Sequence, residues 1–494
     1  MPTGMMDRTG NVIFREGWLA GRAFGYLISG AVLAGCAFVA LVYAVKWQFG
    51  VALVGFLTLL VADLFSLQLA VLPVFFSIPF DRLGRIGPES SLTVAKILIT
   101  VLILAWAAHL LLKRAPRPLA VLFHSPLFLL AVLWLAFSLF SVINARDYDI
   151  FFAQILRRVN NFTLFILITT IVDSKTFVRR IFHVFLFAYF FVGLMVLDEI
   201  ATGQSILRTV WGEEEIAPEY TIQSDTFRVA GPSGDPDFLA ISVIFPMLVG
   251  LTLMFESVPR LVKALVLGVV LMLMIAMLAT GSRGGLGGLL IGASIFLFFT
   301  RMRHKYLIVT VSVVILIVAT VVLSVAGGTS STERYTGESG SKSLVYRLGW
   351  TKMAFMMIQD HPFVGIGTGN FPKEYNRYTR TIPEVPSRPH WTHNSFLQTW
   401  AENGMFAFMV YAGLFLTSAG AMLRVIWRTT DPALRRLAVL MLSTVAAYFF
   451  FAGTSNVLEN ENYWIVFALV TVVSFLAREE TLRNGAGTAE RTPA

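Results

Sequence analysis

Residues 262–280 read VKALVLGVVLMLMIAMLAT and residues 284–300 read GGLGGLLIGASIFLFFT, with only Gly281-Ser282-Arg283 between them. Each run approaches or exceeds the roughly 18 apolar residues that a helix needs to cross a bilayer. Lys263 is the single ionisable residue in either run. In lipid, backbone polar groups must be satisfied within the segment itself, so the pair predicts two spanning helices joined by a tight turn.

The pattern recurs on both sides of this pair. Apolar runs fall at about 27–45, 50–79, 92–112, 124–143, 152–172, 177–199 and 238–256, then at about 305–326, 398–423, 435–453 and 462–477. The run 50–79 is too long for one straight helix and contains Pro73 and Pro79, so it predicts one full span and a short broken one. The expected fold class is all-α: a polytopic membrane bundle of about 12–14 helices. Composition agrees. The 494 residues are 56% hydrophobic and 14% charged, against about 25% charged in soluble domains, and the mean hydropathy is +0.72.

The net charge of +9 could suggest nucleic acid. The basic residues instead gather in alternate short loops: Lys113, Arg114 and Arg117; Lys175, Arg179 and Arg180; Arg260 and Lys263; Arg301, Arg303 and Lys305; Arg424, Arg428, Arg435 and Arg436; Arg478 and Arg483. The positive-inside rule puts these in the cytoplasm, and no nucleic-acid partner is expected. Arg82 and Arg85 fall on the other side and run against the rule. Cys36 is the only cysteine, so no intrachain disulfide is possible. Arg8, Arg15 and Arg22 precede a run of span length with no small-residue cleavage pattern, which predicts a retained helix.

The expected organisation is a cytoplasmic segment 1–26, membrane helices 27–237 with an outer loop 200–237, a second membrane domain 238–477 with a large outer loop 327–397, and a disordered tail 478–494. Loops of such length are usually functional or structured. Tyr346 to Gln359 has helical spacing, with Leu348, Met353, Ala354, Met357 and Ile358 apolar, and predicts an amphipathic helix at the membrane interface.

The residues that suggest chemistry lie on the outer side. Arg283 joins two spans there, where an arginine is unexpected. Its guanidinium suits phosphate, the glycines beside it permit close approach, and a helix N-terminus follows. Snorkelling to headgroups is the alternative. Arg347 lies on the expected interfacial helix. His361-Pro362 followed by Gly365, Gly367 and Gly369 reads as a helix stop and a turn. His393 begins a span from the outer loop and is either a general base or an ordinary helix-start residue. Asn394 follows it, and Glu402 falls inside that span, where a carboxylate needs a cavity or a partner. Gln154, Arg157, Arg158, Asn160 and Asn161 line either the same cavity or a structural polar seam. Asp235-Pro236-Asp237 has an acid-x-acid spacing seen at metal sites, but helix capping explains Asp237 more simply. No His/Cys/Glu set has metal-ligand spacing, and no cofactor is expected.

Taken in order, Ser282-Arg283-Gly284-Gly285, Tyr346-Arg347-Leu348-Gly349-Trp350, His361-Pro362 with Gly365-Ile366-Gly367, and His393-Asn394 with Glu402-Asn403-Gly404 resemble the bacterial O-antigen ligase and polymerase superfamily. The resemblance covers about residues 230–470, and many members have Asn where this chain has Asp237. It implies an inner-membrane glycosyltransferase that moves a glycan from an undecaprenyl-diphosphate carrier to a sugar hydroxyl, under a periplasmic loop and without a metal. Arg283 and Arg347 would hold the diphosphate and His393 would activate the acceptor. Arg157, Arg158, Asn394 and Glu402 are further candidates for binding substrate. A single displacement would invert the anomeric centre.

The acceptor separates a surface-polysaccharide polymerase, which is favoured, from a ligase that uses the lipopolysaccharide core. Whether a partner protein regulates chain length stays open. A lipid-glycan flippase is the rival class, but transporters place ionisable groups near the midplane, often in repeated halves. No repeat is evident here.

Overall fold

The computed structural model describes residues 67–83, 93–112, 117–211, 228–300, 338–379, 382, 391–457 and 460–489, and among these every regular element is helical. The runs expected at 27–45 and 305–326, the first part of 50–79, Cys36 and the basic residues 301–305 lie outside them. The helices are α1 (Leu67–Ser77), α2 (Val94–Leu111), α3 (Pro126–Phe140), α4 (Tyr148–Ile171), α5 (Lys175–Thr202), α6 (Ile206–Trp211) and α7 (Pro236–Met254). They continue with α8 (Arg260–Ala279), α9 (Arg283–Phe299), α10 (Glu338–Asp360), α11 (Phe371–Tyr378), α12 (Ser395–Arg428), α13 (Pro432–Ala452) and α14 (Glu461–Ala489). Eight of the described helices are long and apolar enough to cross a membrane: α2, α3, α4, α5, α7, α8, α12 and α13. The chain is an all-α polytopic bundle.

Short polar residues start these helices. Ser125, Asp147, Ser174, Ser282, Asn394 and Asp431 each cap the helix that follows by accepting from its first free backbone N–H groups. At α7 the cap is Asp235, whose Oδ1 accepts from the backbone N–H groups of Asp237 at 2.7 Å and Phe238 at 3.1 Å. This corrects the expectation that Asp237 is the capping residue. Two carboxylates two residues apart cannot both occupy the N-cap position, and Asp237, inside the first turn, is left to point elsewhere.

Helices α7 and α14 form the middle of the bundle. Ile465 to Val470 of α14 are all buried, as are Leu239 to Val249 of α7. A helix apolar on every side is buried on every side. Helix α9 lies against α13 along Gly284, Gly288 and Gly292. A Cβ there would stand 2.2 Å from Thr454 Oγ1, 2.8 Å from the Ala447 carbonyl and 2.9 Å from the Ser443 carbonyl, respectively. Small residues four apart let two helices approach this closely. The glycines after Arg283 therefore serve helix packing. They do not clear space for a substrate, because Thr454, Ala240 and Met277 already occupy the places their side chains would take.

The two ends of the bundle differ in charge. At one end Lys175 pairs with Asp431, Arg179 with Glu256, and Arg117 with Glu479 at 3.0 Å, tying the basic loops to one another. At the other end α7, α9, α12 and α14 begin and α8 and α13 finish. Here Arg82, which ran against the loop rule, stands over the Phe238 ring at 5.8 Å and in electrostatic range of Asp235.

The large loop builds a small core at this second end. Trp350, Met353, Ala354, Met357 and Ile358 of α10 pack with Phe371, Tyr375 and Tyr378 of α11, and with Ala401 of α12. Leu348, expected on the same face, is instead 56% exposed, together with Val345 and Phe355. Helix α12 kinks at Gly404, where φ is 81° and a Cβ would lie 1.9 Å from the Phe363 carbonyl. Ser395 to Asn403 are thus a short helix leading into the span.

Candidate active site

Asp237 is the centre of a polar cluster assembled from four helix ends and the segment before α7. Its Oδ1 accepts from Arg228 Nη2 at 3.1 Å and its Oδ2 from Ser455 Oγ at 3.2 Å. Ser282, the cap of α9, lies beside the same carboxylate. His393 Nδ1 stands 4.0 Å from Oδ2. Arg228 is further held by its Nε, which donates to the Thr280 carbonyl at 2.7 Å. Its side chain is only 8% exposed, so Arg228 and Asp237 form a nearly buried pair.

Arg347 and Arg283 complete the cluster. Arg347, half-buried on α10, lies in electrostatic range of Asp237, Arg283 and Arg228. Burial lowers its pKa from the ordinary guanidinium value. Asp237 opposes that shift, while Arg283 and Arg228 add to it. Arginine keeps its charge at any physiological pH even so. Arg283 is exposed at the first position of α9, directly after the Ser282 cap. Arg228 and Arg347 therefore stand in electrostatic range of Asp237, Arg283 stands in range of Arg347, and the Asp235 carboxylate lies beside them.

His393 has the only positive φ among the described non-glycine residues, 52°. Such backbone is uncommon for residues with a side chain, although Asn, Asp and His adopt it more than others. The turn is held by Thr392. Its hydroxyl donates to the Asn394 carbonyl at 2.8 Å and accepts from the Asn394 N–H at 3.1 Å. The imidazole rests on the Trp350 ring, with centroids 5.0 Å apart. Trp350 Nε1 in turn donates to the Tyr375 hydroxyl at 3.2 Å. The small core of the large loop thereby fixes one face of His393, and Asp237 faces one of its nitrogens. Strain of this kind is found where surrounding structure imposes it, often at functional sites.

The other expected residues sit elsewhere. Asn394 caps α12, with Oδ1 accepting from Phe396 and Leu397 N–H groups, both at 3.0 Å. Arg158 and Glu402, each 1% exposed, make a second cluster that clamps the glycine turn after α10. Arg158 Nη1 donates to Ser138 Oγ at 2.7 Å, Asn403 Oδ1 at 3.0 Å and Thr368 Oγ1 at 3.3 Å. Its guanidinium lies 4.7 Å from the Trp134 ring centre. Glu402 accepts from Gly369 N at 2.9 Å, Phe371 N at 3.4 Å and Gln398 Nε2 at 3.0 Å. Arg157, one residue from Arg158, is exposed and in electrostatic range of Glu461. The structure thus brings together Arg283, Arg347 and His393. The hydrogen-bond partners of Arg158 and Glu402 are the turn and its neighbours, not Asp237.

Arg228, Ser455 and the orientation of Asp237 escaped sequence reasoning. Arg228 sits in a long outer loop without a motif, and Ser455 in the short turn after α13. One signal was present: an arginine on the side where basic residues are depleted, as with Arg283. Among the described residues no group of three or more His, Cys, Asp or Glu comes together as a metal site would.

Chemically, the cluster can hold an oxyanion between guanidiniums and offer an imidazole beside it. A family model described as Wzy_C, O-antigen ligase, matches residues 267–412. That is a narrower span than the ordered motifs suggest, and it contains Arg283, Arg347 and His393 but not Arg228, Asp237 or Ser455. No curated protein matches the chain. The chain is thus a multi-pass membrane protein in which residues 267–412 are similar to the O-antigen ligase family.

Proposed function

We propose that the protein transfers a glycan from an undecaprenyl-diphosphate carrier to a sugar hydroxyl at the periplasmic face of the inner membrane, extending a surface polysaccharide. The convergence of Arg283, Arg347 and His393 around Asp237 is the observation that carries this reading. In the reaction the acceptor oxygen bonds to the anomeric carbon as the bond from that carbon to the diphosphate oxygen breaks. The bonding pair leaves with the diphosphate, and the hydroxyl proton passes to the imidazole of His393. Charge grows on the diphosphate, where two guanidiniums that are already in place stabilise it without reorganisation. Attack opposite the leaving group inverts the anomeric centre. The polyprenyl tail stays in the bilayer, which gives a reason for the membrane bundle.

The match to an O-antigen ligase family favours a second acceptor, the lipopolysaccharide core. Purified protein supplied with an undecaprenyl-diphosphate glycan and each acceptor separates the two. Elongated carrier-linked glycan marks a polymerase, and glycan joined to lipid A–core marks a ligase. Wild-type turnover by both His393→Ala and Arg283→Ala would overturn the site.

A further inference from the structure

The matched family segment begins after Asp237, and nothing in the proposed chemistry so far gives that carboxylate a task. Its surroundings do. Asp237 Oδ2 is 4.0 Å from His393 Nδ1 while Oδ1 is held by Arg228 Nη2 at 3.1 Å. Ser455 holds the carboxylate from a further helix end. A distance of 4.0 Å is too long for a hydrogen bond, but it is an ion-pair distance once the imidazole carries a proton. Contacts of this kind are often long before substrate binds and tighten afterwards. The face of the ring is covered by Trp350. With Nδ1 turned to the carboxylate, the acceptor hydroxyl is assigned to Nε2.

We propose that Asp237 is the positioning residue of His393: it selects the tautomer with the proton on Nδ1, and it stabilises the imidazolium formed when Nε2 takes the acceptor proton. Arg228 anchors the carboxylate so that it faces the ring. The inference rests on the reading of His393 as the base. It adds a reason for the charge pattern. Asp237 stands in electrostatic range of Arg228, Arg347 and His393, with the Asp235 carboxylate beside it. Guanidiniums near a ring disfavour its protonated form, and a carboxylate 4.0 Å from Nδ1 favours it.

The test is a titration of His393 in the full-length purified protein. Histidine labelled with 13C at Cε1 gives the imidazole signals by NMR, and His393→Gln identifies the one to follow. Asp237→Asn keeps the shape and the Ser455 contact but removes the charge. It lowers the His393 midpoint by about one pH unit, shifts the acid limb of the kcat–pH profile by the same amount, and lowers kcat about tenfold to a hundredfold with little change in KM. A His393 midpoint unchanged in Asp237→Asn overturns the inference, whatever happens to activity. Full activity of His393→Gln would instead sink the underlying reading of the base. The two failures are distinguishable because the titration needs no turnover. If Asp237→Asn does not fold, Asp237→Ser, which also removes the charge, takes its place in the same titration.

Discussion

Two clusters of charge stand at the same end of the bundle, and they are built on opposite principles. Around Glu402 and Arg158 the carboxylate and the guanidinium are each 1% exposed, and their polar atoms are taken up by the turn from Gly365 to Phe371 and by neighbouring side chains. Around Asp237 the guanidiniums of Arg228 and Arg347 converge, the exposed Arg283 stands beside Arg347, and the histidine next to the carboxylate has a left-handed backbone. The first arrangement is closed. The second has an exposed arginine at its edge. Buried charge by itself therefore does not mark a reaction site. Exposure and backbone strain together separate the two.

The comparison can be broken by moving residues between its columns. The largest effect is expected for His393→Asn, which lowers kcat by about 10²–10⁴-fold while the thermal unfolding midpoint stays close to wild type. Arg347→Lys keeps the charge but loses the planar two-pronged guanidinium. A turnover assay should find it reduced by roughly a hundredfold, about 3 kcal/mol of lost transition-state stabilisation. Glu402→Ala should do the reverse. It strands Arg158 and two backbone N–H groups in the interior and costs about 3 kcal/mol of stability, read as a lower unfolding midpoint in detergent. Wild-type stability with abolished turnover in that variant would place Glu402 in the chemistry and erase the distinction.

Smaller effects test the scaffold. Gly288→Ala brings a methyl to 2.8 Å from the Ala447 carbonyl and should destabilise by about 1–3 kcal/mol through the α9–α13 contact. The smallest concerns the latch between the large loop and α4. Asp147 caps α4 and pairs with Lys373 at 3.0 Å; its carboxyl is held below the usual range first by the Ile150 N–H and then by Lys373. Because its folded pKa is depressed, the stability it contributes is present above the unfolded carboxylate value and is lost as pH falls through the folded value. Unfolding midpoints measured from neutral to strongly acid pH should show a slight acid-dependent loss that Asp147→Asn lacks.

Much of this was legible in the chain. Apolar runs located α2, α3, α4, α5, α7, α8, α12 and α13, because a bilayer demands length and hydrophobicity that composition alone displays. Arg283, Arg347 and His393 were legible as ordered motifs. The acid they surround was not. Asp235 and Asp237 have the same chemistry at neighbouring helix-start positions, and only the geometry of the first turn decides which of them caps. Arg228 and Ser455 were out of reach for another reason. Their partner Asp237 lies 9 and 218 residues away in the chain, respectively. No period or spacing records a contact made by packing helix ends together. The same holds for Glu402, whose predicted need for a partner was met by backbone N–H groups 31 and 33 residues upstream.

The left-handed backbone at His393 has a practical consequence. Asparagine tolerates that conformation readily, whereas alanine resists it. His393→Asn would remove the imidazole yet keep the turn that Thr392 holds, leaving the arginines assembled around an intact donor. Such a variant should capture the lipid-linked glycan before transfer, giving a stalled complex in which the path of the polyprenyl tail could be seen directly.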